Sequence, residues 1–272
     1  YSGKQRQSVL AIVQSMVTIS PAVAPVLGAF LLKVMSWRGV FWTLMGIGIL
    51  ALIGALLFEE TIVERNPGRL HQSFARMGVV LKNKRFTLLL LLFSLTSVAS
   101  LAFITSSTYI YQDNFGLSSQ VYSFYFSVNA LAMTVGPMLS LWLAKRLDDN
   151  KIIYVCFGTA AISGLLICLF GASQPWIFAL CILPSTLANS CIRPPSVNLM
   201  LDQQKGDSGS VSSLIGCSGL LMGSLGMQLM SLPWQNAILA IGVLTLAIAA
   251  ISFFVWPLLN GFVSRAPQVS ET

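Results

Sequence analysis

The sequence predicts an all-α, polytopic membrane helix bundle with about eight transmembrane helices, and three observations carry that reading. Of its 272 residues, 55% are hydrophobic and only 9% are charged, against about 25% charged in an ordinary soluble domain. The apolar residues fall into runs of about 20, long enough at roughly 1.5 Å per residue to cross about 30 Å of hydrocarbon. Between these runs lie nearly all the Lys and Arg residues, the arrangement by which membrane proteins fix their orientation. The net charge of +7 therefore reads as a topology signal, and no nucleic-acid partner is expected.

The chain opens on Tyr1 with a polar stretch that lacks the apolar h-region of a signal peptide. It is expected to be a fragment of a longer protein. Spans are predicted at Ser8–Leu32, Val40–Phe58, Phe86–Tyr109, Tyr122–Ala144, Ile152–Gly171, Trp176–Met200, Val211–Leu232 and Asn236–Leu258. Two spans thus occupy residues 1–58, a long loop residues 59–85, six spans residues 86–258, and a tail residues 259–272. Most connections are short, which forces neighbouring helices to run antiparallel. Lys4, Arg6, Arg65, Arg69, Arg76, Lys82, Lys84, Arg85, Lys145, Arg146, Lys151, Lys205 and Arg265 fall on one side, and Lys33 and Arg38 on the other. Both termini and the long loop are therefore expected to be cytoplasmic.

Within that loop, Leu70, Phe74, Met77 and Leu81 recur at helical spacing, with Arg69, Arg76, Lys82 and Lys84 on other faces. Two readings stand: a basic amphipathic helix on the inner leaflet, or a solvated linker whose charges set topology. His71, the sole histidine, reads as a surface residue. The five cysteines lie in apolar stretches without a Cys-x-x-Cys pair, and read as small core residues. No metal site and no cofactor are expected.

The first span carries Gln14, Thr18, Pro21, Pro25 and Gly28 on one helical stripe. Each proline bends the helix and removes a backbone donor, a defect that lipid tolerates only where protein or a cavity covers it. The stripe is expected to face inward, either as a bent helix at a moving interface or as a kinked packing helix. The seventh span answers with Ser212, Gly216, Gly219, Gly223 and Gly226, small residues that let two backbones approach. Asn129, Gly136 and Pro137 break the fourth span, and interrupted helices at related positions are typical of transporters.

All nine acids fall at span ends or in loops, whereas a proton-driven carrier usually keeps a carboxylate within the membrane. Arg193 is the exception among the basic residues: a guanidinium keeps its proton, so it must reach water, a polar cavity or a partner. Cavity lining and snorkelling both satisfy it, and Asn189 with Pro194-Pro195 favours a protein-lined interior. Further cavity candidates are Gln14, Thr18, Tyr109, Tyr125, Asn129 and Asn198, each equally readable as an interhelical hydrogen-bonding residue.

Ser20-Pro21-Ala22-Val23-Ala24-Pro25-Val26-Leu27-Gly28-Ala29 resembles the antiporter motif in the fifth helix of major facilitator drug exporters, in the variant of the Bcr/CflA group of drug:proton antiporters. Trp37-Arg38-Gly39-Val40-Phe41-Trp42, Glu60-Thr61 and the stretch from Pro195 through Gly206 and Ser212-Ser213 to Gly216 are similar to that group too. The family motif usually has Gly-Pro and Gly-Gly where this chain has Ala24-Pro25 and Gly28-Ala29, which leaves the substrate class open. The resemblance implies helices five to twelve of a twelve-helix transporter of the inner membrane, monomeric when complete, with the long loop joining its halves. It implies a small-molecule substrate, lipid contact, a proton gradient, and a proton-carrying acid on N-terminal helices absent from this chain. Pro21, Pro25 and Gly28 would shape the interface between halves.

The function expected is secondary active efflux of drugs or small amphipathic metabolites by alternating access. A facilitator for a small polar solute needs no membrane carboxylate and is the alternative within transport. A non-transporting membrane scaffold or receptor is the alternative outside it. An enzyme is not expected, because no His-Glu-x-x-His, intramembrane acid pair or Ser with a His in reach is present.

Overall fold

A lipid-facing chain must satisfy its backbone polar groups internally, and every segment long enough to cross a bilayer here is helical. The computed structural model describes residues 23–24, 26–57, 70–203 and 208–264, and no strand occurs among them. After a helical stretch at 26–34 (α1) come α2 (Trp37–Leu56), α3 (Leu70–Leu81), α4 (Lys84–Tyr109), α5 (Ser119–Leu143), α6 (Asp149–Phe170), α7 (Pro175–Cys191), α8 (Arg193–Asp202), α9 (Ser208–Met230) and α10 (Ala237–Ser264). Seven described spans are long and apolar enough to cross a membrane, with α7 and α8 together forming one of them. The predicted first span falls mostly outside the described residues.

Local chemistry sets the helix ends. Asn83 opens α4, its side chain accepting from the backbone N–H groups of Arg85 at 3.1 Å and Phe86 at 3.4 Å. Its Nδ2 also donates to the carbonyl of Gln203 at 2.8 Å, tying the start of α4 to the end of α8 across 120 residues. The third predicted span ends at Tyr109, but the helix continues through a wider π turn at Ile110–Asn114. Gly116 then takes φ +67°, a left-handed conformation that costs glycine nothing and stops the helix. Ser118 opens α5 by accepting from Val121 N–H at 3.4 Å, and Asn236 opens α10 by accepting from Leu239 N–H at 3.0 Å.

The predicted sixth span is two helices. Pro194 and Pro195 remove two backbone donors just after Cys191, so α7 stops and α8 resumes at Arg193. Ile192 and Ser196 still donate to Ala188 and Ile192 carbonyls at 3.0 and 3.1 Å, which keeps the two pieces in one span.

The six spans from α4 to α10 form a row in packing order α5, α7 with α8, α6, α10, α4, α9. The outer members bury least: 28% of the apolar core of α5 and 17% of that of α9 are covered, against 50% for α4. Three of these contacts are backbone-close at a glycine. A methyl group on Gly226 or Gly223 of α9 would overlap the Val98 carbonyl or the Leu101 side chain of α4. On Gly136 of α5 it would overlap Ser190 of α7, and on Gly164 of α6 it would meet the Leu246 backbone of α10. Gly242 of α10 returns the last contact, facing Cys168 of α6. Gly219 stands at ordinary contact distance, 3.4 Å, from Ser97 Oγ, and Gly216 has open space around it.

Two apolar clusters occupy opposite ends of the helices, along their length. One gathers Phe86, Phe93, Ile152, Phe157, Met200 and Trp256, with the Phe93 ring 5.6 Å from Trp256. The other gathers Phe103, Tyr111, Ile167, Phe178 and Ile241. The first cluster marks the basic end, since Trp256 donates to the Asn150 carbonyl beside Lys151 and Asp148 at 3.3 Å. The amphipathic segment of the long loop is helix α3, and it packs on α4 and α9. Among residues 76–81, whose side chains are described, Val80, outside the predicted apolar stripe, is the buried one, at 1% exposure, while Leu81 is exposed. By contrast α2 buries no residue and makes no substantial contact with another described helix.

Gly226→Leu is expected to force α9 off α4 and to cost about 1–3 kcal/mol, as overpacking does. Gly216→Leu should stay within about 0.5 kcal/mol of the parent. Thermal unfolding of both variants in detergent checks the pair, and equal melting temperatures would refute the contact.

Candidate functional site

Between the two apolar clusters lies a thinner layer in which hydroxyl and amide groups cross the row. Its centre is α7, a helix with a proline of its own, Pro184, which leaves the carbonyl one turn earlier without its usual donor. Neighbouring helices supply polar contacts around that point. Ser163 of α6, wholly buried, donates to the Cys181 carbonyl at 2.5 Å. From α5, Asn129 accepts from Thr186 Oγ1 at 3.3 Å and donates to the Tyr125 carbonyl on its own helix at 3.3 Å. Ser190 reaches the Ala132 carbonyl of α5 at 3.4 Å, beside the Gly136 contact.

Next to these bonds α4, α6, α7 and α10 line a small, partly open void of about 10 Å³, with Thr96 and Asn189 half-buried at its edge. Its polar lining is Thr96, Ser185, Asn189, Thr245 and Ser252, and its apolar lining includes Ala99, Phe157 and Ala160. Ser252 Oγ is fully buried and lacks a hydrogen-bond partner.

Among the described residues, the sequence candidates do not converge on one place. Gln14, Thr18, Pro21 and Pro25 lie outside the described residues. Gly28 is half-buried, with open space where a Cβ would stand. Asn189 lines the void. Asn129 is buried and spends its side chain tying α5 to α7. Tyr125 is half-buried and stacks on Tyr111, with ring centres 5.2 Å apart. Tyr109 is exposed. Arg193 and Asn198 are exposed on α8, whose Pro195, Ser196 and Met200 turn inward. Arg193 makes no ion pair among the described residues, and its backbone carbonyl accepts from Ser196 Oγ at 2.9 Å. Among the described residues no cluster of His, Cys, Asp and Glu is arranged to hold a metal ion.

Sequence reasoning missed Ser163, Thr186, Ser185, Thr245 and Ser252. A lone Ser or Thr in an apolar run carries no periodic signal, because its hydroxyl can equally return to its own helix. Gly164 and Gly242 were missed for a related reason: each is a single glycine, without the repeated spacing that marks α9.

A model of the Major Facilitator Superfamily matches residues 1–227. The chain belongs to that superfamily. Among curated relatives it is 26% identical over 265 residues to an uncharacterized MFS-type transporter, YdgK, of Bacillus subtilis, covering 93% of this chain and 65% of the relative. It is 22% identical to a bicyclomycin resistance protein homolog of Haemophilus influenzae, covering 83% of this chain and 59% of that one. Multidrug resistance protein MdtL of Klebsiella pneumoniae matches at 27% identity over 51% of this chain. The chain thus spans about two thirds of the length of the first of these relatives, or less. The likeness to the Bcr/CflA group agrees with the bicyclomycin resistance homolog among them. Superfamily membership and the apolar spans make this a multi-pass membrane protein.

Removing the Asn129–Thr186 bond tests the tie between α5 and α7. Asn129→Ala and Thr186→Val are each expected to destabilise, and their double-mutant cycle should give a coupling of about 0.6 kcal/mol, typical of interhelical bonds in membranes. Strictly additive losses in detergent unfolding would leave the two side chains energetically separate.

Proposed function

We propose that this chain supplies helices five to twelve of a secondary active transporter that exports small amphipathic molecules by alternating access, and that it is a carrier and not an enzyme. The observation that carries the reading is the superfamily match over residues 1–227, joined to relatives whose names denote drug resistance. The architecture supports it. Six spans make one internally bonded row whose outer members, α5 and α9, keep most of their apolar surface uncovered. Transporters of this kind rock one such bundle against another around a site near the bilayer midplane.

In this reading the N-terminal helices outside this chain complete the pathway, and the whole protein acts as a monomer in the inner membrane. Its partners are substrate and lipid, with a proton gradient as the driving force. The basic end, with Lys84, Arg85, Lys145, Arg146 and Lys151, faces the cytoplasm. Arg193 faces the central pathway, where its fixed charge meets substrate or a carboxylate of the other half. One observation favours facilitated diffusion as a second reading: Asp113, Asp148, Asp149 and Asp202, the acids among the described residues, all stand at span ends.

Expression of the complete protein in cells lacking their own exporters should lower accumulation of amphipathic dyes and antibiotics. In proteoliposomes, substrate movement should be accompanied by counter-flow of protons. Substrate flux without proton flux would select the facilitator, and absence of any flux would sink the carrier reading. Arg193→Ala is expected to reduce export at least tenfold at unchanged expression, whereas full resistance to every substrate would assign Arg193 to snorkelling. For orientation, Lys145→Cys should react with an impermeant maleimide in inside-out vesicles and stay unlabelled in intact cells.

A further inference from the structure

Among the described residues four buried side-chain oxygens lack a hydrogen-bond partner, those of Ser106, Tyr111, Asn150 and Ser252, and Ser252 alone of these lines a void, the one between α4, α6, α7 and α10. Ser252 is 0% exposed and its hydroxyl has no partner. The side chains of Ser185, Asn189 and Thr245, which line the same space, make no hydrogen bond among the described residues. Serine and threonine in a helix ordinarily return their hydroxyl to a carbonyl one turn back, as Thr96 does here to Phe93 at 2.7 Å. A buried hydroxyl left open as that of Ser252 is marks a missing partner, and in protein interiors that partner is usually water.

We infer that this void holds one ordered water molecule, shared by polar side chains of α7 and α10. Size and lining agree on the occupant. A volume of about 10 Å³ is close to the space that one water needs, and a water requires two to four polar neighbours. No lining residue is ionisable, so a cation would meet no compensating charge and would carry a desolvation cost that neutral water does not. The site also has a structural consequence. Direct hydrogen bonds tie α7 to α6 through Ser163 and to α5 through Asn129, but none among the described residues joins α7 to α10. The water supplies that link, and a water-mediated contact can exchange partners as helices shift, where a direct bond would have to break.

Radiolytic hydroxyl labelling of the complete protein in detergent tests this, because radicals formed from an internal water attack the side chains beside it. Phe157 lines the void and is 1% exposed, while Phe86 and Phe178 are 0% exposed and are not among the lining residues. Oxidation of Phe157 several-fold above both controls is expected. Equal labelling of all three would overturn the inference. Converting the lining to apolar groups with Asn189→Leu, Thr245→Val and Ser252→Ala should dry the cavity and bring Phe157 down to the control rate. Ser252→Ala alone, which removes the buried orphan hydroxyl, should lower it at least twofold and serves if the triple variant does not fold. Labelling that persists at the parent level in a folded variant means entry of bulk solvent, and also overturns the water.

Discussion

Two helices in lipid gain nothing from hiding apolar side chains from each other, since the tails around them are equally apolar; what joins them is close contact and hydrogen bonding. That constraint accounts for the glycines. The α9–α4, α5–α7 and α6–α10 contacts each place a glycine against the partner's backbone or the base of its side chain. In a soluble bundle a leucine at such a position would add hydrophobic stabilisation. Here it would only separate two surfaces whose attraction depends on distance, because dispersion falls steeply once atoms part.

Hydrogen bonding follows the same logic at the prolines. Pro137, Pro184 and Pro257 interrupt α5, α7 and α10, and Pro194 with Pro195 divides the sixth span. Each removes a donor that lipid cannot replace. Beside Pro184 the neighbouring helices make polar contacts with α7, Ser163 donating to the Cys181 carbonyl and Thr186 donating to Asn129 Oδ1. The most interrupted span is thus also tied by side-chain hydrogen bonds to the helices on both its sides.

The presence of the described spans was legible because length and hydropathy are summed over some 20 residues, so single exceptions hardly matter. From Val40–Phe58 onward the predicted spans and the observed helices overlap nearly throughout. Features decided by a few atoms were not legible. The π turn after Tyr109 depends on the Gly116 turn and the packing of Tyr111 against Phe178, neither of which alters the hydropathy of the run. Periodicity placed the apolar stripe of α3 on Leu70, Phe74, Met77 and Leu81; among residues 76–81, whose side chains are described, docking on α4 and α9 buries Val80 and leaves Leu81 exposed. Periodicity reports which faces are apolar, not which of them meets a neighbour. Among the site residues, Asn189 does line a void, and Asn129 spent its amide between helices; one sequence contains both outcomes with no local difference between them.

The same ties that hold the row limit how it can move. Gly164 and Gly242 lock α6 and α10 reciprocally, and Asn83 pins the start of α4 to the end of α8. Sliding one of these helices by a turn would drive a side chain into a backbone at several points at once, because packed contacts are bistable and do not deform continuously. Motion of the row would therefore cost least as a unit, with rearrangement at its open flanks, α5 and α9, and at the α7–α8 break where the backbone is already interrupted. Arg193 sits at that break, exposed and without an ion pair among the described residues.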